Sequence, residues 1–419
     1  MDRLNPLRSV LTGHDLTFLA GVPFVYHCHH YNLFHDQTLD DALGEELGAQ
    51  VRFRAARSAC SELLRALGSV LGASTPPERA ELASLLLPWM GHGRIALSTS
   101  NTGGEATGTH LHYGFSWREK YGERVRREAP ADSFAAGFAA AACEFIEGLP
   151  GGEIVATEDQ CIALRDPGCH FTLRRTGRAE TSAPVVDLAA TEGLVGATLE
   201  GLDEARIAAI AAGLRDFVKG VAGDERGVIA AFGVFVTMHL SNYYNETIYE
   251  AIHHVERSQP ALLPVAETLF REAGVQCVFN TFGNMLLSPE WEGLVGAPSG
   301  DPFELLSSCC AIARGLGFGH WILHEYDPGK RLVLRAPVDY EVPFYLRRYG
   351  RSGKPRCYVL QGAALAMAVL AHQVRWRESP RLTEEFYLSL FRGKVAWAAE
   401  QTLCPTRGDA CCEVVVSAR

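Results

Sequence analysis

The chain has 419 residues, 47% hydrophobic and 21% charged, with a formal net charge of −10. That length admits two or three domains with ample core, and the negative charge gives no pull toward nucleic acid or anionic membrane surfaces. No apolar run reaches the roughly 18 residues of a membrane span, so neither a membrane span nor a nucleic-acid partner is expected.

Near the N-terminus, "LTFLAGVPFVY" follows acidic and histidine residues and shows no small-residue cleavage site. It predicts no signal peptide and a cytoplasmic location. In that compartment the 12 cysteines favour thiols or metal ligands over a disulfide framework. "YHCHHYNLFH" then gathers His27, Cys28, His29, His30 and His35. "ALGEELGAQVRFRAARSACSELLRALG" repeats apolar residues at helical intervals. "RIALSTS" and "GTHLHYGF" alternate as half-buried strands do, which would put His110 and His112 on one face. "SFAAGFAAAACEFIEGL" predicts a small-residue helix with Phe134, Phe138 and Phe145 toward one side, fit to lie close against a sheet. "TEDQCIALRDPGC" closes the set as a hairpin bearing Glu158, Cys161 and Cys169.

The same order then recurs. "HYNLFHDQTLDDAL" aligns without gaps on "HLSNYYNETIYEAI", matching His30 with His239, Thr38 with Thr247 and Ala42 with Ala251. "GHGRIAL" matches "GFGHWIL", and "DSFAAGFAA" matches "CYVLQGAAL", setting Asp132 against Cys357 and Gly137 against Gly362. "CIALRDPGC" matches "CPTRGDACC", setting Cys161 against Cys404 and Cys169 against Cys412. The expectation is an α+β chain of two homologous units, 1–177 and 201–419, joined by a linker at 178–200. The second unit has an extra leading helix, "DEARIAAIAAGLRDFV", and an insertion, "VRWRESPRLTEEFYLSLF", before its last cysteines.

Thiolate and carboxylate ligands suit tetrahedral zinc. Glu158, Cys161 and Cys169 supply such ligands in the first unit; Cys357, Glu400, Cys404 and Cys412 supply them in the second. Glu400 stands one residue further from its cysteine than Glu158 does, so Gln401 holds the strictly aligned position. A hairpin disulfide or plain buried thiols are the alternatives for the cysteines. The histidines offer a different centre. His27, His30, His110 and His112 would make a nitrogen-rich site for zinc, iron or another transition metal, able to activate water or dioxygen through an open position. Histidines that merely satisfy hydrogen bonds among aromatic neighbours are the structural alternative.

The "CYVLQGAA" helix start, the closing Glu-x-x-Cys pattern of "EDQCIALRDPGC" and the segment "NTFGNMLLSPEWEGLVG" resemble the 4-vinyl reductase domain family. That family includes bacterial proteins described as predicted hydrocarbon-binding proteins. It shares its fold with TRAPP vesicle-tethering subunits and with the aromatic-sensing domains of phenol- and xylene-responsive activators. The resemblance implies a structural zinc held by Cys357, Glu400, Cys404 and Cys412, and by Asp132, Glu158, Cys161 and Cys169 in the first unit. It further implies a small apolar ligand and paired units, here an internal pseudo-dimer with a further homodimer left open. No G-x-x-x-x-G-K-[ST] motif is present, so ATP-driven activation is not expected. Three readings follow: a soluble sensor, carrier or pathway accessory that binds an aromatic, hydrocarbon or acyl molecule; a metal-dependent oxidoreductase or oxygenase using the histidines; or an assembly module without ligand.

Overall fold

The computed structural model describes residues 3–122, 124–125, 127–177, 186–194, 199–393 and 395–419. The chain opens with β1 (Arg8–Leu11), β2 (Leu16–Leu19) and β3 (Val22–Cys28). Ala20 and Gly21 turn β2 into β3 with φ of 49° and 84°, the left-handed pair that a tight two-residue hairpin requires. Helices α1 (His29–Leu43), α2 (Glu45–Leu71) and α3 (Pro76–Trp89) follow. The last of these starts with a capping box between Thr75 and Glu78. Next come β4 (Ala96–Ser100), β5 (Gly103–Gly108), α4 (His112–Tyr121), α5 (Ser133–Glu147), β6 (Ile154–Gln160) and β7 (Cys169–Arg175).

Two helices, α6 (Leu188–Glu192) and α7 (Glu204–Lys219), lead to β8 (Ile229–Ala231) and β9 (Val234–Leu240). This hairpin turns through Phe232 and Gly233 at φ of 54° and 70°. Helices α8 (Ser241–Ser258) and α9 (Leu263–Cys277) run into a π-helical turn, Val278–Phe282, and then α10 (Gly283–Leu286), α11 (Pro289–Leu294) and α12 (Pro302–Leu316). The chain finishes with β10 (Ile322–Asp327), β11 (Arg331–Ala336), α13 (Glu341–Tyr349), α14 (Tyr358–Gln373), α15 (Glu384–Phe391), β12 (Trp397–Leu403) and β13 (Cys412–Ala418).

The fold class is α+β, with helices packed on antiparallel sheets. Two four-stranded sheets have orders β4-β5-β7-β6 and β10-β11-β13-β12, which is the same order counted from the first strand of each. A five-stranded sheet, β1-β2-β3-β9-β8, joins them through an antiparallel β3–β9 pair with Tyr26 opposite Met238. Contacts across this seam are reciprocal. A Cβ on Gly91 would lie 2.6 Å from Val236 O of β9, and one on Gly317 would lie 3.1 Å from Phe24 O of β3.

Inside each half a helix pair approaches through glycine. A Cβ on Gly137 of α5 would lie 2.7 Å from Phe53 O of α2, and one on Gly362 of α14 would lie 1.8 Å from Arg271 O of α9. Those distances leave room for hydrogen alone, so the backbones touch where the small-residue helix was expected to lie close. The neighbour it lies close to is a helix as well as a sheet.

Several expectations shift. Strand β5 ends at Gly108, and "HLHY" continues into α4, with Leu111, His112 and Tyr113 buried in succession. Consecutive burial is incompatible with the alternating strand expected there. The gapless match of His30 with His239, Thr38 with Thr247 and Ala42 with Ala251 is also out of step. Counted from both hairpin glycines and from both strand–helix junctions, Cys28–His29 and Leu240–Ser241, the position that corresponds to His239 is His27 and not His30. Turn backbone fixes register more firmly than a shared side-chain type does. About half of the expected linker lies outside the described residues, and its described part contains α6. Among the described residues no helix is long and apolar enough to cross a membrane.

Candidate metal centres

Each cysteine hairpin presents its donors through the same local devices. Cys161 directly follows β6 and Cys404 directly follows β12, each capping the start of a short 3-10 turn. The Cys161 amide donates to Asp166 Oδ2 at 2.7 Å and the Cys404 amide to Asp409 Oδ2 at 2.8 Å, which pins both turns. Asp132 and Cys357 are the N-caps of α5 and α14. The Asp132 amide donates to Glu158 Oε2 at 2.8 Å, and the Cys357 amide to Gln401 Oε1 at 3.3 Å. Residues distant in sequence therefore meet where a helix start faces a hairpin tip.

In the second half Cys357 Sγ is 3.4 Å from Cys404 Sγ and 3.6 Å from Cys412 Sγ, all three buried. Hydrogen bonds from Cys357 and Cys412 pull the Cys404 thiol down, with Thr406 Oγ1 adding a contact at 3.0 Å. Burial pushes Cys357 and Cys412 up. One thiolate is thus preferred among the three. A dication would draw the remaining protons off, as a coordinating metal does.

In the first half Glu158, Cys161 and Cys169 offer ligand atoms within 4.8 Å of one another. The hydrogen bond from Cys169 lowers Cys161 to about 7, while burial pushes Glu158 well above the carboxylate range. Asp132 stays outside this group. Its Oδ2 accepts from the Gly114 amide at 2.9 Å, and burial raises its pKa. Glu400 does not reach the second centre, because it lies on the exposed side of β12 while its neighbour Gln401 is buried and meets Cys357. Strand alternation is the reason, and the aligned residue, not the acidic one, faces inward.

The four predicted histidines do not share a centre. His27, on β3, stacks on Tyr31 at 3.7 Å with Nδ1 3.5 Å from Cys277 Sγ. His30 is half-buried on α1 beside His29, at 3.9 Å between ring centroids. His110 is half-buried in a loop with Nδ1 3.0 Å from Thr109 Oγ1. His112 Nε2 lies 2.8 Å from Asn32 Nδ2. Among the described residues, the groups able to hold a metal contain no histidine.

A different histidine set meets at the seam. His92 lies 4.8 Å from His239 and 5.6 Å from His112 between ring centroids, and His239 Nε2 lies 3.0 Å from Tyr113 Oη. Burial holds all three below the ordinary histidine value, His92 at about 3. Their pairing depends on β9 crossing to β3, and the one clue in the sequence was His92 in "GHGRI" standing against Phe318 in "GFGHW". Phe318 in turn packs 4.9 Å from His27, mirroring His92 on His239.

No protein family matches the chain, and no curated protein matches it. Among solved structures, it is similar to the phenol-responsive sensory domain of the transcription activator PoxR, determined with phenol. The identity is 17% and the TM-score 0.35, over 43% of this chain and 90% of that one.

Proposed function

We propose that this chain is a small-molecule-binding protein, a sensor, carrier or pathway accessory for an aromatic, hydrocarbon or acyl ligand, with a structural zinc at each cysteine hairpin. It is also proposed to be two copies of one unit, 1–177 and 201–419, joined through 178–200 and packed as an internal pseudo-dimer. The observation that carries the metal reading is the meeting of Cys357, Cys404 and Cys412 at Sγ separations of 3.4 and 3.6 Å. Glu158, Cys161 and Cys169 gather at the matching point of the other half. Each gathering supplies three protein donors, so a fourth ligand would have to complete the tetrahedron for the zinc to tie hairpin to helix and not perform chemistry. The repeated sheet order and the reciprocal glycine contacts support the two-copy reading. The ligand reading leans on the resemblance of the cysteine hairpins and the "CYVLQGAA" helix start to the aromatic-sensing family.

Elemental analysis of the purified wild type and of Cys404→Ser and Cys161→Ser tests the metal reading. The expected result is zinc in the wild type, with a separate share lost in each variant. Protein that is metal-free as purified and takes up no added zinc would overturn it.

A further inference from the structure

The two halves offer the same place between helix and sheet, and only one of them leaves it open. Because Phe53 O and Arg271 O receive the two matching glycines, Ala49 of α2 stands where Glu267 stands on α9. The N-caps Asp132 and Cys357 likewise set Ser133 against Tyr358, Ala136 against Gln361 and Ala129 against Lys354.

In the second half these positions are filled and mutually bonded. Tyr358 Oη donates to Glu267 Oε1 at 3.2 Å, and Lys354 Nζ pairs with the same oxygen at 2.7 Å. Arg271 Nε donates to Gln361 Oε1 at 2.8 Å, and Gln361 Nε2 donates to Ala399 O of β12 at 3.0 Å. In the first half alanines and serine stand there instead, leaving a groove of about 570 Å³. Its walls are α2, the start of α5 and the edge strand β6, with Phe53 and Val155 among its apolar lining. That volume falls in the range of small-molecule sites. Glu158, a donor of the first-half centre, lines it as well, and the exposed Glu45 and Glu46 stand at its rim. Arg54, the lining cation, is shared with Glu246 and Glu250 of α8. The two mouth carboxylates also outweigh the partial positive charge at the start of α2.

We infer that this first-half groove is the ligand site of the chain, and that it takes an apolar molecule with a cationic head, an aromatic or alkyl amine. This rests on the small-molecule-binding reading and narrows it, because the acidic mouth disfavours an acyl carboxylate.

The test is calorimetric titration of the full chain with phenylbutylamine and with phenylbutyrate. The wild type should bind one phenylbutylamine, about tenfold tighter than phenylbutyrate. Ala49→Gln with Ser133→Tyr fills the groove at two half-buried positions without adding charge, and should weaken the amine at least about tenfold with the melting profile kept. Amine binding untouched by the filling would overturn the groove assignment and leave the binding reading standing. A preference for phenylbutyrate would overturn the amine assignment. Binding of neither probe would overturn the inference, with the metal content still to be judged by itself.

Discussion

The hairpin carrying Cys161 and Cys169 and the hairpin carrying Cys404 and Cys412 have the same pairing, the same bulge and the same aspartate-held turn. Their donors differ. One is met by Glu158, with Asp132 beside it; the other is met by a third thiol, Cys357, with Gln401 reduced to holding an amide. The comparison teaches that the scaffold does not depend on which donors it carries. Backbone turns and helix caps fix the positions, and the side chains there are free to change chemistry. The helix pairs behind the hairpins teach the same lesson, since α14 on α9 and α5 on α2 share a glycine contact but fill the space beside it differently.

The largest effect should come from closing those contacts. Gly362→Ala, whose Cβ would sit 1.8 Å from Arg271 O, should cost about 3 kcal/mol in urea unfolding. Gly137→Ala, at 2.7 Å from Phe53 O, should cost about 2 kcal/mol. Equal costs would mean that the second helix pair is not the more closely packed of the two.

His92→Phe gives the first half the residue that its counterpart carries in Phe318. His92 is held at about 3 in the folded chain, below its unfolded value near 6.5. Between those values the unfolded chain binds a proton that the folded chain refuses, so stability is present above pH 6.5 and lost as pH falls. From pH 7 to pH 5 the wild type should lose about 2 kcal/mol relative to the variant. Parallel stability–pH curves for the two proteins would show that His92 titrates normally.

Next is Gln401→Glu, which supplies the second centre with the acid that the first has in Glu158. Zinc should then be held about tenfold more tightly against a chelator. The smallest effect belongs to Glu400→Gln. On the exposed side of β12, it should change stability by less than about 0.5 kcal/mol and leave the zinc content unchanged; loss of metal would return Glu400 to the ligand set.

Much of the scaffold was legible because it is local. Cysteine spacing, the alanine-rich helix and the extra helix before β8 each carry a short-range pattern. The position facing the second centre is not legible from residue type, because strand alternation turns Gln401 inward and its acidic neighbour Glu400 outward. The histidine gathering was illegible for another reason. His92, His112 and His239 come from a turn, a helix start and a strand, and they meet only because β3 pairs with β9. Nothing in the spacing of one segment encodes that pairing.

The same β3–β9 pairing bears on how the chain can be divided. Each of these strands is an inner strand only while the other is present. Splitting the protein between its halves would bare a row of unpaired amides and carbonyls on each fragment, flanked by buried residues such as Val25 and Met238, the geometry that seeds edge-to-edge aggregation. Separately produced fragments should therefore be insoluble and co-produced ones should recover each other, so that the chain folds as one piece.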